Sequence, residues 1–381
     1  MPNSSVIIPG SGLPYGEGLD IACLSRIFDN TTNSYKFLFF LSLLDILNRN
    51  FFKSDISILL EDILVDMLAT SWYSHCFFKL SFGSQDQIAI ELDRLNLSIG
   101  KQGLKGDFIS KEQIRKKIKQ QRLNDRLLDY VPYRINAPFF EEELRGKRDS
   151  IKNKAVVKLA EDNFDSRKPL FKYNSDNSIK VHPEWVEYFR INYAIIRGWA
   201  SWEWLKYMQR CNPSVPAISN KLFPPNSRDS LGLQTKYWKS VLINAQLRCI
   251  YSGEVLNEND FSLDHFLPWS FVTHDLLWNL IPTTKSVNSS KSDNLPALDY
   301  LDSFVKLQHT GLLVSRQQLP IRTWTKLIES YISDLRVSEG DLLNIDRLRN
   351  SYEAIIIPQI NLATSHGFTP NWKFTQQATD K

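Results

Sequence analysis

Asp264, His265, Asn279 and Asn288 set a carboxylate, an imidazole and two carboxamides within one short stretch, and no other segment gathers so many groups capable of chemistry. Asp264 and Asn288 offer hard oxygen donors of the kind a magnesium-like ion takes. His265 is the one side chain among them whose ordinary pKa lets it accept a proton near neutrality. A metal with a base beside it points to hydrolysis.

These residues need elements that bring them together. Residues 261–267 read as a strand, 278–282 as a second short strand, and 287–293 as the opening of a helix. Adjacent residues of a regular strand face opposite ways, so the first strand must end or distort for Asp264 and His265 to serve one site. Pro268, shortly afterwards, allows that.

The strand–loop–strand–helix order resembles the ββα-metal fold of HNH endonucleases, with Asp264-His265, Asn279 and Asn288 carrying the resemblance. Asn279 stands fourteen residues and Asn288 twenty-three residues after His265. Together with the Asp-His-x-x-Pro-x-Ser-Phe string at 264–271 and the Lys-Ser-Asp-Asn-Leu-Pro string at 291–296, these spacings are similar to the HNH domain of RNA-guided CRISPR nucleases and related standalone bacterial HNH proteins. The resemblance covers residues 249–296 of the 381.

It implies that His265 is the general base, that Asp264 and Asn288 hold one divalent ion, and that Asn279 orients the loop or the imidazole. Many relatives have His where Asn288 stands; an amide oxygen favours Mg2+ or Mn2+ over zinc. Cys249 occupies the place of the first cysteine of a zinc pair in many HNH proteins, but Ser252 replaces its mate, so no zinc is expected. Lys291 either contacts a phosphate of the scissile strand or caps its helix. Asp293 reads as a hydrogen-bond acceptor, Trp269 and Trp278 as packing residues, and His274 as a loop residue at the surface or approaching DNA.

The rest of the chain sets limits. A length of 381 residues predicts two or three domains, since single cores stop growing near about 250–300 residues. The formal charge of +4 and pI of 8.7 lean basic, which suits a polyanionic partner without requiring one. Cys23, Cys76, Cys211 and Cys249 form no CxxC pair, which argues against a disulfide framework or a four-cysteine zinc site. The most apolar run, 37–44, is far shorter than the roughly 20 residues a membrane span needs. Residues 1–5 lack the basic start of a signal peptide. A cytoplasmic protein with no membrane partner is expected.

The fold expected is mainly α with a small embedded α+β module: an HNH domain flanked by helical regions. Residues 1–100 form a helical region for partner docking or scaffolding, in which Ile56, Leu59, Leu60, Ile63, Leu64, Met67 and Leu68 share a face. Ser84 and Gln87 resemble a capping box there, and Glu61, Asp62, Asp66, Asp86, Glu91 and Asp93 make the region acidic. Residues 101–225 form a basic and aromatic helical region. Lys111, Arg115, Lys119, Arg122 and Arg126 fall within roughly 80° if helical, as a phosphate-tracking stripe or a solvated face. Arg145, Lys147, Arg148, Lys152, Lys154 and Lys158 make a second basic cluster. A long helix from His182 to Arg210, breaking at Gly198, carries Trp185, Trp199, Trp202 and Trp204 for the core or for base stacking. Prolines near 213–225 mark the main boundary. The HNH domain spans 226–300, and 301–381 is helical, over 297–309, 321–336 and 341–357.

The expected function is metal-dependent hydrolysis of DNA phosphodiester bonds, in a bacterial restriction or anti-phage setting, with an operon-encoded protein partner or a homo-oligomer compatible with it. Two other readings stand beside it: an RNase using the same site, and a non-catalytic nucleic-acid-binding or assembly protein. The chain is too small for the heteroduplex channel of a guided enzyme.

Overall fold

A computed structural model describes residues 12–97, 109–225 and 227–375. Residues 1–5, 98–108 and the polar tail from 376 onward, which the sequence readings touched, lie outside the described residues. The chain divides into two compact units, Met1–Pro213 with Lys221–Asn226, and Ser214–Asn220 with Ser227–Lys381.

In the first unit, helix α1 (Tyr35–Arg49) is buried along the whole of its apolar run, which explains why that run has no polar side. It packs against α2 (Leu60–Trp72) and against α6 (Pro183–Cys211). The helix expected from Ile56 starts only at Leu60, because Ile58–Leu59 form a short strand, β1, with Leu59 exposed. β1 pairs with β3 (Ser178–Val181), which pairs in turn with β2 (Phe171–Tyr173), all antiparallel. Sequence reading missed this sheet. Its hairpin signal was Asp176-Asn177, with Asn177 at φ 58° in the left-handed region that Asn tolerates.

Helix α3 (Gln87–Leu95) is capped by Asp86 rather than Ser84: the Asp86 carboxylate accepts from the Ile88 amide at 2.9 Å. Next come α4 (Lys111–Lys119) and α5 (Asp149–Asp162). α6 begins at Pro183 as expected, but its irregular residue is Asn192 (φ −107°, ψ 19°), not Gly198. Trp185 and Trp204 are fully buried in the core, Trp199 packs on Phe28 and Phe40, and Trp202 is exposed.

The second unit is built around two strands, β4 (Ser262–His265) and β5 (Leu280–Thr283), paired antiparallel with Asp264 opposite Ile281 and His265 opposite Leu280. Helix α7 (Gly232–Asn244) precedes them and α8 (Lys285–Lys291), capped by Thr284, follows. α9 (Leu301–Gln318), α10 (Ile321–Leu335) and α11 (Ile345–Ser365) enclose the strand pair. α11 runs on through Pro358, past the end expected at 357. Phe266 stacks on Phe304 of α9 with ring centroids 4.1 Å apart. Gln308, fully buried on the same helix, donates to the carbonyls of Leu277 and Leu280 at 3.1 and 2.8 Å and accepts from the Tyr331 hydroxyl at 2.7 Å. Tyr352 of α11 donates to the Trp278 carbonyl at 2.9 Å. The late helices thus satisfy the backbone of the loop entering β5. A buried carbonyl left without such a donor costs about 1–3 kcal/mol. Among the described residues no helix is long and apolar enough to cross a membrane.

Candidate active site

The regular ladder of β4 ends at His265, and the backbone beyond it is held by one side chain. Asn279 is fully buried; its Oδ1 accepts from the Leu267 amide at 2.8 Å and its Nδ2 donates to the Leu267 carbonyl at 2.9 Å. Asn279 therefore grips the loop, not the imidazole, and fixes the point where the strand turns away toward Pro268.

Asp264 and His265 have separate sets of partners, as neighbours on a strand must. The Asp264 carboxylate is buried and accepts from the Tyr251 hydroxyl at 2.8 Å and from the Lys291 ammonium at 3.0 Å. Lys291 also donates to the His265 carbonyl at 2.6 Å. The side chain is fully buried, pointing inward from the last turn of α8 to pair with Asp264. Asn288, one turn earlier on the same helix, donates through Nδ2 to the Ser262 hydroxyl at 2.7 Å and to the Leu263 carbonyl at 3.1 Å. With the amide nitrogen so engaged, Oδ1 is the free acceptor end of that group.

His265 Nε2 lies 2.8 Å from Asp275 Oδ1. A carboxylate at Nε2 selects the tautomer that carries its proton there and leaves the lone pair on Nδ1. Burial pushes the His265 pKa below the usual histidine value; the hydrogen bond from Asp275 works against that shift, and the charge of Arg228 adds to it. Burial alone would raise the pKa of Asp275, but the hydrogen bond and charge of His265, then Arg228, hold it below the usual carboxylate range. Arg228 reaches Asp275 Oδ1 at 3.4 Å and lies over the Trp269 ring with its guanidinium carbon 4.3 Å from the centroid. Trp269 is thus more than filler: it carries the cation that faces Asp275.

Asp275, Arg228 and Tyr251 escaped the sequence reading. A single Asp in a loop has no periodicity, Arg228 lies well before the motif, and Tyr251 sits in a turn. The one available signal was Asp275 beside His274, inside the interval between His265 and Asn279. His274 itself is half-buried against Trp278, with ring centroids 5.2 Å apart, and burial followed by the charge of His265 lowers its pKa to about 4. Asp293 accepts from Ser270 Oγ at 3.1 Å, and Cys249 Sγ lies 3.1 Å from the Thr283 hydroxyl. Trp278 donates from its indole to Asp334 at 2.7 Å.

The basic stripe lies in the first unit and meets acids there. Lys111 pairs with Asp45 at 2.8 Å and Asp66 at 3.4 Å, Arg115 with Asp66 at 3.4 Å and with Glu112, and Lys119 with Asp62 at 2.6 Å. α4 ends at Lys119, so Arg122 and Arg126 do not continue its face. Asp66, fully buried and also paired with Arg49, draws Lys111 and Arg115 toward α2, while Lys119 stays exposed beside Asp62.

Among the described residues no group of three or more His, Cys, Asp or Glu side chains is arranged to hold a metal ion. The donors that fit one here are a carboxylate and an amide. A carboxylate offers about four lone-pair sites, so Asp264 keeps acceptor capacity beyond its two hydrogen bonds. Oδ1 of Asn288 supplies a second hard oxygen, and both residues are fixed on β4 and α8. The donor set suits a hard divalent cation.

Residues 249–297 match the family model of HNH endonucleases, so an HNH domain is present in the second unit. That membership implies metal-dependent nuclease chemistry in general. Neither a search of curated proteins nor one of solved structures gave a match.

Proposed function

We propose that the protein is a divalent-metal-dependent endonuclease that hydrolyses DNA phosphodiester bonds, with His265 as general base. The observation that carries this reading is the 2.8 Å contact between His265 Nε2 and Asp275, which sets Nδ1 as the basic nitrogen inside a segment that matches an HNH family. A packing histidine has no need of a half-buried, arginine-backed carboxylate.

In the proposed reaction, water attacks phosphorus as its proton passes to His265 Nδ1, and the bond to the leaving 3′ oxygen breaks. Asp275 then faces an imidazolium and stabilises it, while Arg228 keeps Asp275 ionised before the proton arrives. Asn279 holds the turn after His265 and so fixes where Nδ1 points. Tyr251 and Lys291 orient Asp264, and Asn288 is oriented by Ser262 and Leu263. Asp264 and Asn288 would hold a Mg2+-class ion, which when bound neutralises charge at the reacting phosphate.

Incubation of the full chain with plasmid, linear duplex, single-stranded DNA and RNA, each with Mg2+, Mn2+ or EDTA, tests the reading. Metal-dependent products from DNA support it. Products from RNA alone would make the protein an RNase with this site, and no cleavage of any substrate would favour a binding or assembly role. A bacterial defence setting, with a partner encoded nearby, is the context we propose; a gene neighbourhood of housekeeping repair functions would count against it.

A further inference from the structure

The first unit contains a cleft of about 1240 Å3 into which Arg26, Lys36, Arg126, Arg134, Arg145 and Lys152 all project. They come from six separate places: the end of the helix Ile21–Ser25, α1, the turn Asp125–Leu128, the helix Val131–Asn136, the residue capping Glu141–Leu144, and α5. A solvated helix face gathers charge from one element. Cations converging from six segments on one concavity describe a site for an anion.

The charge in the cleft is uneven. Its carboxylates are Asp29, Glu141 and Asp149, three against six cations. Glu141 pairs with Arg26 at 3.1 Å, and Asp149 is shared by Arg134 and Lys152, each at 3.2 Å. Lys36 donates to the Asp29 carbonyl at 2.9 Å rather than to a carboxylate. Among the described residues Arg126 and Arg145 form no ion pair, and both are exposed within the cleft. Burial lowers the pKa of Lys36, as happens to a cation lacking enough counter-charge. Tyr130 also lines the cleft, 58 % exposed, and presents a flat aromatic surface beside these cations.

We infer that this cleft binds the phosphate groups of a nucleotide, free or within a single strand, with Arg126 and Arg145 pairing the phosphate and Tyr130 stacking on the base. An arginine fork beside an exposed aromatic matches a phosphate carrying a planar base, and the neutral Thr31, Thr32 and Asn33 on the rim add further hydrogen-bonding groups. The site does not depend on the nuclease reading, because it is built from the first unit alone.

The test is fluorescence anisotropy with the full chain in EDTA, so that no cleavage occurs, using a labelled 20-nucleotide single strand and, separately, a fluorescent derivative of ATP. The contrast is wild type, Arg126→Glu/Arg145→Glu, and Lys239→Glu, a basic residue of the second unit. For whichever probe wild type binds, the double reversal is expected to weaken binding tenfold or more, and Lys239→Glu to leave it unchanged. For the strand, the slope of log K against log salt should fall by roughly 1 to 2, as expected for two lost phosphate contacts. Binding of the strand alone means a strand-gripping site; binding of the ATP derivative means a free-nucleotide site; both support the inference. Binding that is equally tight in the double reversal, or absence of binding of either probe to wild type, overturns it. Should the reversal lower the unfolding temperature, Arg126→Gln/Arg145→Gln reads the same contrast. Cleavage assayed separately in Mg2+ keeps the fate of the nuclease reading distinct.

Discussion

Asp275 Oδ1 stands 2.8 Å from His265 Nε2 and also faces the Arg228 guanidinium at 3.4 Å, so one loop carboxylate links the imidazole to a half-buried cation stacked on Trp269. This pairing orients the imidazole, because the carboxylate at Nε2 fixes which ring nitrogen carries the proton.

Asp275→Asn should therefore lower the single-turnover cleavage rate by about 10²–10⁴-fold, the usual contribution of a positioned base. Affinity for uncleaved DNA in EDTA should stay close to wild type. An unchanged rate would mean that Asp275 serves only packing.

The pH dependence follows from the sign of the His265 shift. A base must be neutral to act, and burial lowers its pKa, so activity should persist below the ordinary histidine value of about 6.5 and fall only as pH drops through the lowered value. In Asp275→Asn the negative charge that opposes the lowering is gone, so the acid limb should move to still lower pH. A pH–rate profile under single-turnover conditions reads both.

His274 gives a stability counterpart. Its folded-state pKa of about 4 lies below the unfolded value, so its contribution is full above about pH 6.5 and is lost as pH falls through 4. Thermal unfolding across that window should show a decline that is shallower in His274→Gln. An identical decline in both proteins would assign the loss elsewhere.

The Lys291–Asp264 pair makes a third prediction. Lys291→Met leaves a buried carboxylate without its ammonium, and removing one partner of such a pair costs about 3–5 kcal/mol. Adding Asp264→Asn should restore part of that stability while leaving the protein inactive, because the proposed metal ligand is lost. Denaturant titration of the three variants closes the cycle; equal stability of the single and double variants would show that the pair is not coupled.

Support from the late helices is testable through Gln308→Leu, which removes one of the donors to the Leu277 and Leu280 carbonyls. Trp238 still donates to the Leu280 carbonyl and the Leu280 amide to the Leu277 carbonyl, so each lost hydrogen bond should cost about 0.5–1.5 kcal/mol, and cleavage should slow as the loop before β5 loosens. Loss of stability with undiminished cleavage would separate the helices from the chemistry.

These relationships were unequally legible in the sequence. The order of strands and helix, and the residues Asp264, His265, Asn279 and Asn288, are readable because they lie in one local run where spacing carries the information. Lys291 was visible, but its direction was not: a lysine on a short helix looks solvated until the strand carboxylate it enters is in place. Lys111, Arg115 and Lys119 recur every four residues, and so do Asp62 and Asp66, yet only packing of α4 on α2 makes those two patterns partners. Asp275 and Arg228 belong to the site through long-range packing, which no period reveals. The hairpin of β2 and β3 was hidden by strand length, since runs of three and four residues leave too few repeats for alternation to register.

The most direct measurement is plasmid cleavage by wild type and His265→Ala, compared side by side in Mg2+ and in EDTA, with folding of both confirmed by thermal unfolding. Wild type should cleave in Mg2+ alone, and a folded His265→Ala should be slower by about 10²–10⁴-fold. Cleavage by His265→Ala at the wild-type rate, or by wild type in EDTA, would contradict a metal-dependent reaction with His265 as its base.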